Sequence, residues 1–197
     1  MADVNALKQH VCKLASTPPF IHHDWFVDHH LSIIESIVEE LLGKYPKANK
    51  TVCRAMVWIH DLGKIITNKG PDEEEVTFRE INNTLPKFGF SSEEIRLIAQ
   101  AYREMEELKP QGEDFLIETK IISSADAFSH YIGPFFSLHW REHPNKEVDA
   151  LVDDNLRKIK KDEGKIMLPE VMEAARLRMD LLAENHPKNR VKNYLEE

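Results

Sequence analysis

Apolar residues along this chain recur three and four positions apart rather than at every second position, and the glycines and prolines fall mostly between the periodic stretches. That spacing follows one face of a helix with about 3.6 residues per turn, so the pattern predicts an all-α protein. A first helix ends near Ser16, where Thr17-Pro18-Pro19 breaks the chain, and a second covers about residues 24–42 before Gly43 and Pro46 stop it. The third, about residues 47–62, is apolar through Ala55-Met56-Val57-Trp58-Ile59, which places it at the centre, buried on most sides. A polar stretch over 68–75 with a Gly70-Pro71 turn leads into a helix that Pro86 bends or ends before Gly89. Ser91-Ser92-Glu93-Glu94 reads as the cap of a helix through about Leu108, closed by Pro110-Gln111-Gly112. The next helix, about 114–130, carries the stripe Ile117, Ile121, Ile122 and Ala125 until Gly133-Pro134 interrupts. About three more helices are expected over 135–197, and the charged run from Arg157 to Lys165 reads as a solvated face.

Composition narrows the picture. The 197 residues contain no Gly/Ser-rich linker, which predicts one domain over 1–197: a core motif region over about 24–131 and extra C-terminal helices over 135–197. A net charge of -8 repels a polyanion, so long nucleic acid is an unfavourable partner. Two cysteines, Cys12 and Cys53, are too few for a disulfide framework and suit a reducing interior. No apolar run approaches the roughly 20 residues of a membrane span. A cytoplasmic protein is the expectation. Oligomeric state stays open, a homodimer among the options.

The chemistry concentrates in a few positions. His60-Asp61-Leu62-Gly63-Lys64 directly follows the apolar run of the third helix, unlike the second His-Asp pair, His23-Asp24, which has no such helix before it. Neighbouring helical residues point about 100° apart, so both can serve one ion only where a helix end helps, and Gly63 is expected to supply that end. A buried polar pair without partners costs roughly 2–7 kcal/mol in transfer terms, and ion ligation removes that cost. On the second helix His30 continues a stripe with Ile34, Ile37, Val38 and Leu41, whereas the corresponding positions of His29 include Ser36 and Glu40. His30 is thus the better candidate. Asp126 is a carboxylate among small and apolar residues, expensive to bury unless paired or metal-bound. Two imidazoles and two carboxylates suit a divalent ion such as Mn²⁺, Fe²⁺, Co²⁺, Ni²⁺ or Mg²⁺.

His30 on its striped helix, His60-Asp61 about thirty residues on in an "HDLGK" context, and Asp126 within "ADAFS" together resemble the H...HD...D signature of the histidine-aspartate (HD) domain phosphohydrolases, over roughly residues 24–131. The resemblance implies a helical bundle with one divalent metal on His30, His60, Asp61 and Asp126. It also implies hydrolysis of a phosphate ester or anhydride of a small molecule, a nucleotide foremost, by a metal-activated water. No histidine lies between His60 and His130, which favours one metal over two. In that scheme Asp61 orients or deprotonates the water, while Lys64 binds the substrate and offsets phosphate charge. The alternative is a regulatory module on the same scaffold that binds metal or nucleotide without turnover.

Overall fold

The computed structural model describes residues 1–107 and 115–183, and every regular element among them is helical. In chain order these are α1 (Val4–Ala15), a π-helical turn (Val27–Leu31) running into α2 (Ser32–Lys44), α3 (Lys50–Ile59), α4 (Leu62–Thr67) and α5 (Glu73–Thr84). A 3-10 turn (Leu85–Phe88) then leads to α6 (Ser92–Glu107), α7 (Ile117–Ser129), α8 (Phe135–Glu142), α9 (Val148–Lys165) and α10 (Pro169–Ala183). The turn expected at Pro110-Gln111-Gly112, the helix boundaries expected at Leu108 and Asp114, and the chain after Ala183 lie outside the described residues.

The central helix is α3, as its composition predicts. Val52, Cys53 and every residue from Ala55 to Ile59 are buried, and α3 packs against α1, α2, α6 and α7. Asn49 starts it by accepting the Val52 amide, while the Asn49 amide donates to Glu118 Oε1 at 2.6 Å, pinning the start of α3 to α7. The expected cap of α6 is present: the Ser91 amide and hydroxyl both donate to Glu94 Oε2, and Ser91 Oγ accepts the Glu94 amide. No helix among the described residues is long and apolar enough to cross a membrane.

Three expectations are corrected. The second helix begins at Val27, not near 24, because residues 21–25 wind as turns held by bonds such as His23 Nδ1 to the Phe20 carbonyl. The third helix ends at Ile59 and a new one starts at Leu62, so the break falls on His60-Asp61 and Gly63 lies inside α4 rather than ending a helix. Gly63 is there for closeness: a Cβ on it would sit 1.8 Å from the Glu73 carbonyl oxygen and 2.5 Å from Thr77 Oγ1. Its amide instead donates to Thr77 Oγ1 at 2.8 Å, bringing α4 tight against α5. Finally, the charged run of α9 is solvated only in part: Arg157, Lys160, Lys161 and Glu163 are exposed, whereas Asp162 is 0 % and Lys165 8 % exposed.

Candidate metal centre

Three separate segments deliver the predicted side chains to one place. The π-helical turn, closed by the Ser32 amide on the Val27 carbonyl, directs His30 inward (2 % exposed) and leaves His29 in solvent. Wide turns of this kind are frequent at functional sites. His60 caps α3 and Asp61, at φ −104° and ψ 12°, leaves helical geometry, so the break lets adjacent side chains converge as a continuous helix would not. Asp126 comes from the buried face of α7. One ligand atom each from His30, His60 and Asp126 lies within 4.8 Å of the others. Asp61 Oδ2 is 3.3 Å from Nε2 of both histidines, and Asp126 Oδ1 is 3.5 Å from Nε2 of His30 and 3.9 Å from that of His60.

Hydrogen bonds behind the rings fix which nitrogen faces the cluster. His60 Nδ1 lies 3.1 Å from the carbonyl oxygens of Met56 and Val57, which only accept, so Nδ1 carries the proton. The Ser129 hydroxyl donates to the Asp126 carbonyl at 2.7 Å, leaving its oxygen to accept from His30 Nδ1 at 3.0 Å. Nε2 of each ring is thereby turned to the carboxylates: that of His30 meets Asp61 Oδ2 at 3.3 Å, and that of His60 is buried with no hydrogen-bond partner. A bare Nε2 facing ionised carboxylates is repelled unless a cation lies among them. An orphaned buried nitrogen, backed by a donor-side hydrogen bond in the manner of metal-ligating imidazoles, fits a divalent ion.

The HD domain family model matches residues 27–131, just over half of the chain. The chain belongs to the HD-domain family. Comparisons with curated proteins and with solved structures gave no match. HD domains bind divalent metals and are mostly hydrolases, and the match covers the same stretch as the resemblance read from the sequence.

Around the cluster, this HD domain places Lys64, which the sequence assigned to the site, together with Lys158, Asp162 and Lys165, which it did not. Lys64 Nζ lies 2.5 Å from Asp61 Oδ1, and Lys165 Nζ lies 3.8 Å from Asp126 Oδ2. Burial by itself would raise both carboxyls, yet Lys64 with His60 and His30 holds Asp61 well below the carboxylate range, and Lys165 with the histidines does the same for Asp126. His130, buried and stacked on His30 at 5.2 Å between ring centroids, has Nε2 3.9 Å from Asp126 Oδ1 while its Nδ1 lies 3.0 Å from Asp162 Oδ2. Asp162 also accepts from Lys158 Nζ at 2.7 Å and Tyr131 Oη at 3.3 Å.

Serines of α7 hold this arrangement. Ser123 Oγ donates to the Lys165 carbonyl at 2.8 Å, and Ser124 Oγ accepts the amides of Met167 and Leu168. They fix the end of α9 against the helix that carries Asp126.

His60, Asp61 and Asp126 floor a cavity of about 130 Å³ that also reaches Glu74, Tyr102 and Glu106. An outer chamber of about 500 Å³ shares Lys64, Glu73, His130, Lys158 and Lys161 with it and is walled by Trp25, Phe26, Phe135 and Phe136. His22 borders this chamber, its Nδ1 2.6 Å from Glu142 Oε1, which also accepts from Trp25 Nε1. The missed residues did leave a signal. Leu151, Asn155, Lys158, Asp162 and Lys165 continue one helical face, so the polar members of α9 prolong an apolar stripe.

Proposed function

We propose that this HD domain is a metal-dependent phosphohydrolase acting on a phosphate ester or anhydride of a small molecule, with nucleotides the first class to test. One observation carries the reading: Nε2 of His30 and the unpartnered Nε2 of His60 converge with the carboxylates of Asp61 and Asp126 beside a lysine-rimmed cavity. Those four side chains would hold one divalent ion. Such an ion supplies Lewis-acid polarisation of a phosphoryl oxygen and lowers the pKa of water.

The chain's own groups do the rest. Lys64 and Lys165, both held above their ordinary lysine values because the carboxylates outweigh burial, stay charged and offset the negative charge of a phosphoryl group. Asp61, kept ionised, is suited to orient a water through the oxygens it turns to the cluster rather than to take a proton outright. His130, with its Nδ1 proton directed at Asp162, presents Nε2 beside Asp126, within reach of a substrate oxygen in the cavity.

The test is phosphate release from a nucleotide and sugar-phosphate panel with Mn²⁺, Mg²⁺, Co²⁺ or Ni²⁺, comparing the protein with Asp126→Asn. Release that drops at least about 100-fold in the variant supports the reading. Metal binding without release from any substrate would instead indicate the non-catalytic module.

A further inference from the structure

The outer chamber carries cations beyond those that line the inner cavity. Six cationic side chains line it, Lys64, Lys69, Lys146, Arg157, Lys158 and Lys161, against the three carboxylates Glu73, Glu142 and Asp154. The chain as a whole has a net charge of -8, so this is a local reversal of sign. Most of these charges are already engaged. Lys64 is on Asp61 and Lys158 on Asp162, while Asp154 takes Lys146 at 2.9 Å and also Arg157. Lys69 and Lys161 are different: among the described residues neither amine has a carboxylate partner, and they come from different elements, the turn after α4 and the last third of α9.

Lys69 is held there against backbone preference. Asn68 and Lys69 adopt φ values of 53° and 63° in succession, a left-handed conformation unfavourable for any residue with a β-carbon and unusual for lysine. Two hydrogen bonds fix the turn: Asn68 Oδ1 accepts the Ile21 amide at 2.8 Å, and the Lys69 amide donates to the Lys64 carbonyl at 3.0 Å. One side of the chamber is aromatic: Trp25 meets Phe135 edge-on at 5.9 Å, and Phe135 meets Phe136 at 5.6 Å. A chamber of about 500 Å³ accommodates a small molecule, with a ring against that side.

We propose that the outer chamber is a second anion subsite, and that the substrate is a small molecule carrying a phosphate besides the one that is hydrolysed. The hydrolysed group occupies the inner cavity, the ring lies against Trp25 and Phe135, and the second phosphate sits between Lys69 and Lys161. This rests on the phosphohydrolase reading of the inner site, and the experiment separates the two.

Matched pairs are compared, a nucleoside 5′-monophosphate with its 3′,5′-bisphosphate and a hexose monophosphate with its bisphosphate, on the intact protein and on a Lys69→Gln variant, since Lys69 lines only the outer chamber. Lys69 is exposed, so the variant keeps its fold. The subsite predicts that kcat/KM for one bisphosphate exceeds that of its monophosphate by about tenfold or more at low ionic strength. The Lys69→Gln variant should lose this preference through KM, with turnover of the monophosphate within about twofold of the parent. Equal efficiency on both members of every pair, or a variant that weakens both alike, overturns the subsite while leaving the hydrolase intact. If no pair is hydrolysed the hydrolase reading fails, and calorimetric binding of the same pairs decides the subsite: tighter bisphosphate binding lost in the variant sustains it, and equal binding removes it.

Discussion

His30 and His60 share one cluster, yet their surroundings push them in opposite directions. Burial holds His30 down to about 4, whereas at His60 the burial penalty is outweighed by the carboxylates of Asp61 and Asp126, which hold the ring above its ordinary value. His22 and His130 are also depressed, in each case by burial first. Unfolded, these three rings take up protons near 6.5, while folded they resist until lower pH. Protons therefore favour the unfolded chain in that interval, and the metal-free protein should lose stability as pH falls from 6.5 toward about 4. His60 opposes with one group against three. The expected loss from His30 between pH 7 and pH 5 is on the order of 2 kcal/mol, read by urea unfolding in chelator at those two pH values. A stability that is flat or rises on acidification would contradict this account of the buried rings. At this scale the sequence revealed His30 over His29 through its stripe, and it revealed His60-Asp61 and Asp126 through their apolar settings. It hid Lys158, Asp162 and Lys165, because a buried ion pair and a solvated one have the same letters and only the apolar residues preceding them on the same face tell them apart.

Helix boundaries decide where those side chains point. The chemistry needs α3 to stop at Ile59 and α4 to leave at a new angle, and that angle is set by contact between Gly63 and α5 rather than by a glycine turn. Gly63→Ala would drive its Cβ into the Glu73 carbonyl and Thr77 and force the α4–α5 pair apart, costing about 3 kcal/mol or more and displacing Lys64. Gly43 lies near the end of α2 with nothing within 4 Å of an added Cβ. Gly43→Ala should therefore be neutral or stabilising by about 0.5–1 kcal/mol. Chemical denaturation of the two variants checks the contrast, and similar effects at both glycines would refute the close-approach argument. The glycine was visible in the sequence but its reason was not, since closeness between helices leaves no periodic trace. The capping box at Ser91 and Glu94 was legible because it is local, and the π-helical turn was not, because a single wide turn shifts the stripe by only one position.

Over the whole molecule, the site is built from more than the stretch that matches the family. Residues 27–131 supply His30, His60, Asp61 and Asp126, while α9, beyond that match, supplies Lys158, Asp162 and Lys165 and is clamped to α7 by Ser123 and Ser124. The all-helical architecture followed from periodicity along the chain. The packing of α9 over the cavity did not, because the register of one helix on another depends on distant contacts. The central claim is that His30, His60, Asp61 and Asp126 hold one divalent ion. Crystals grown with Mn²⁺ and measured for anomalous scattering test it most directly. The account predicts one strong peak per chain, bonded to Nε2 of both histidines and to oxygens of both aspartates, and none at that place in His60→Ala crystals grown alongside. A saturated crystal with no peak there, its imidazoles hydrogen-bonded to the aspartates instead, would contradict it.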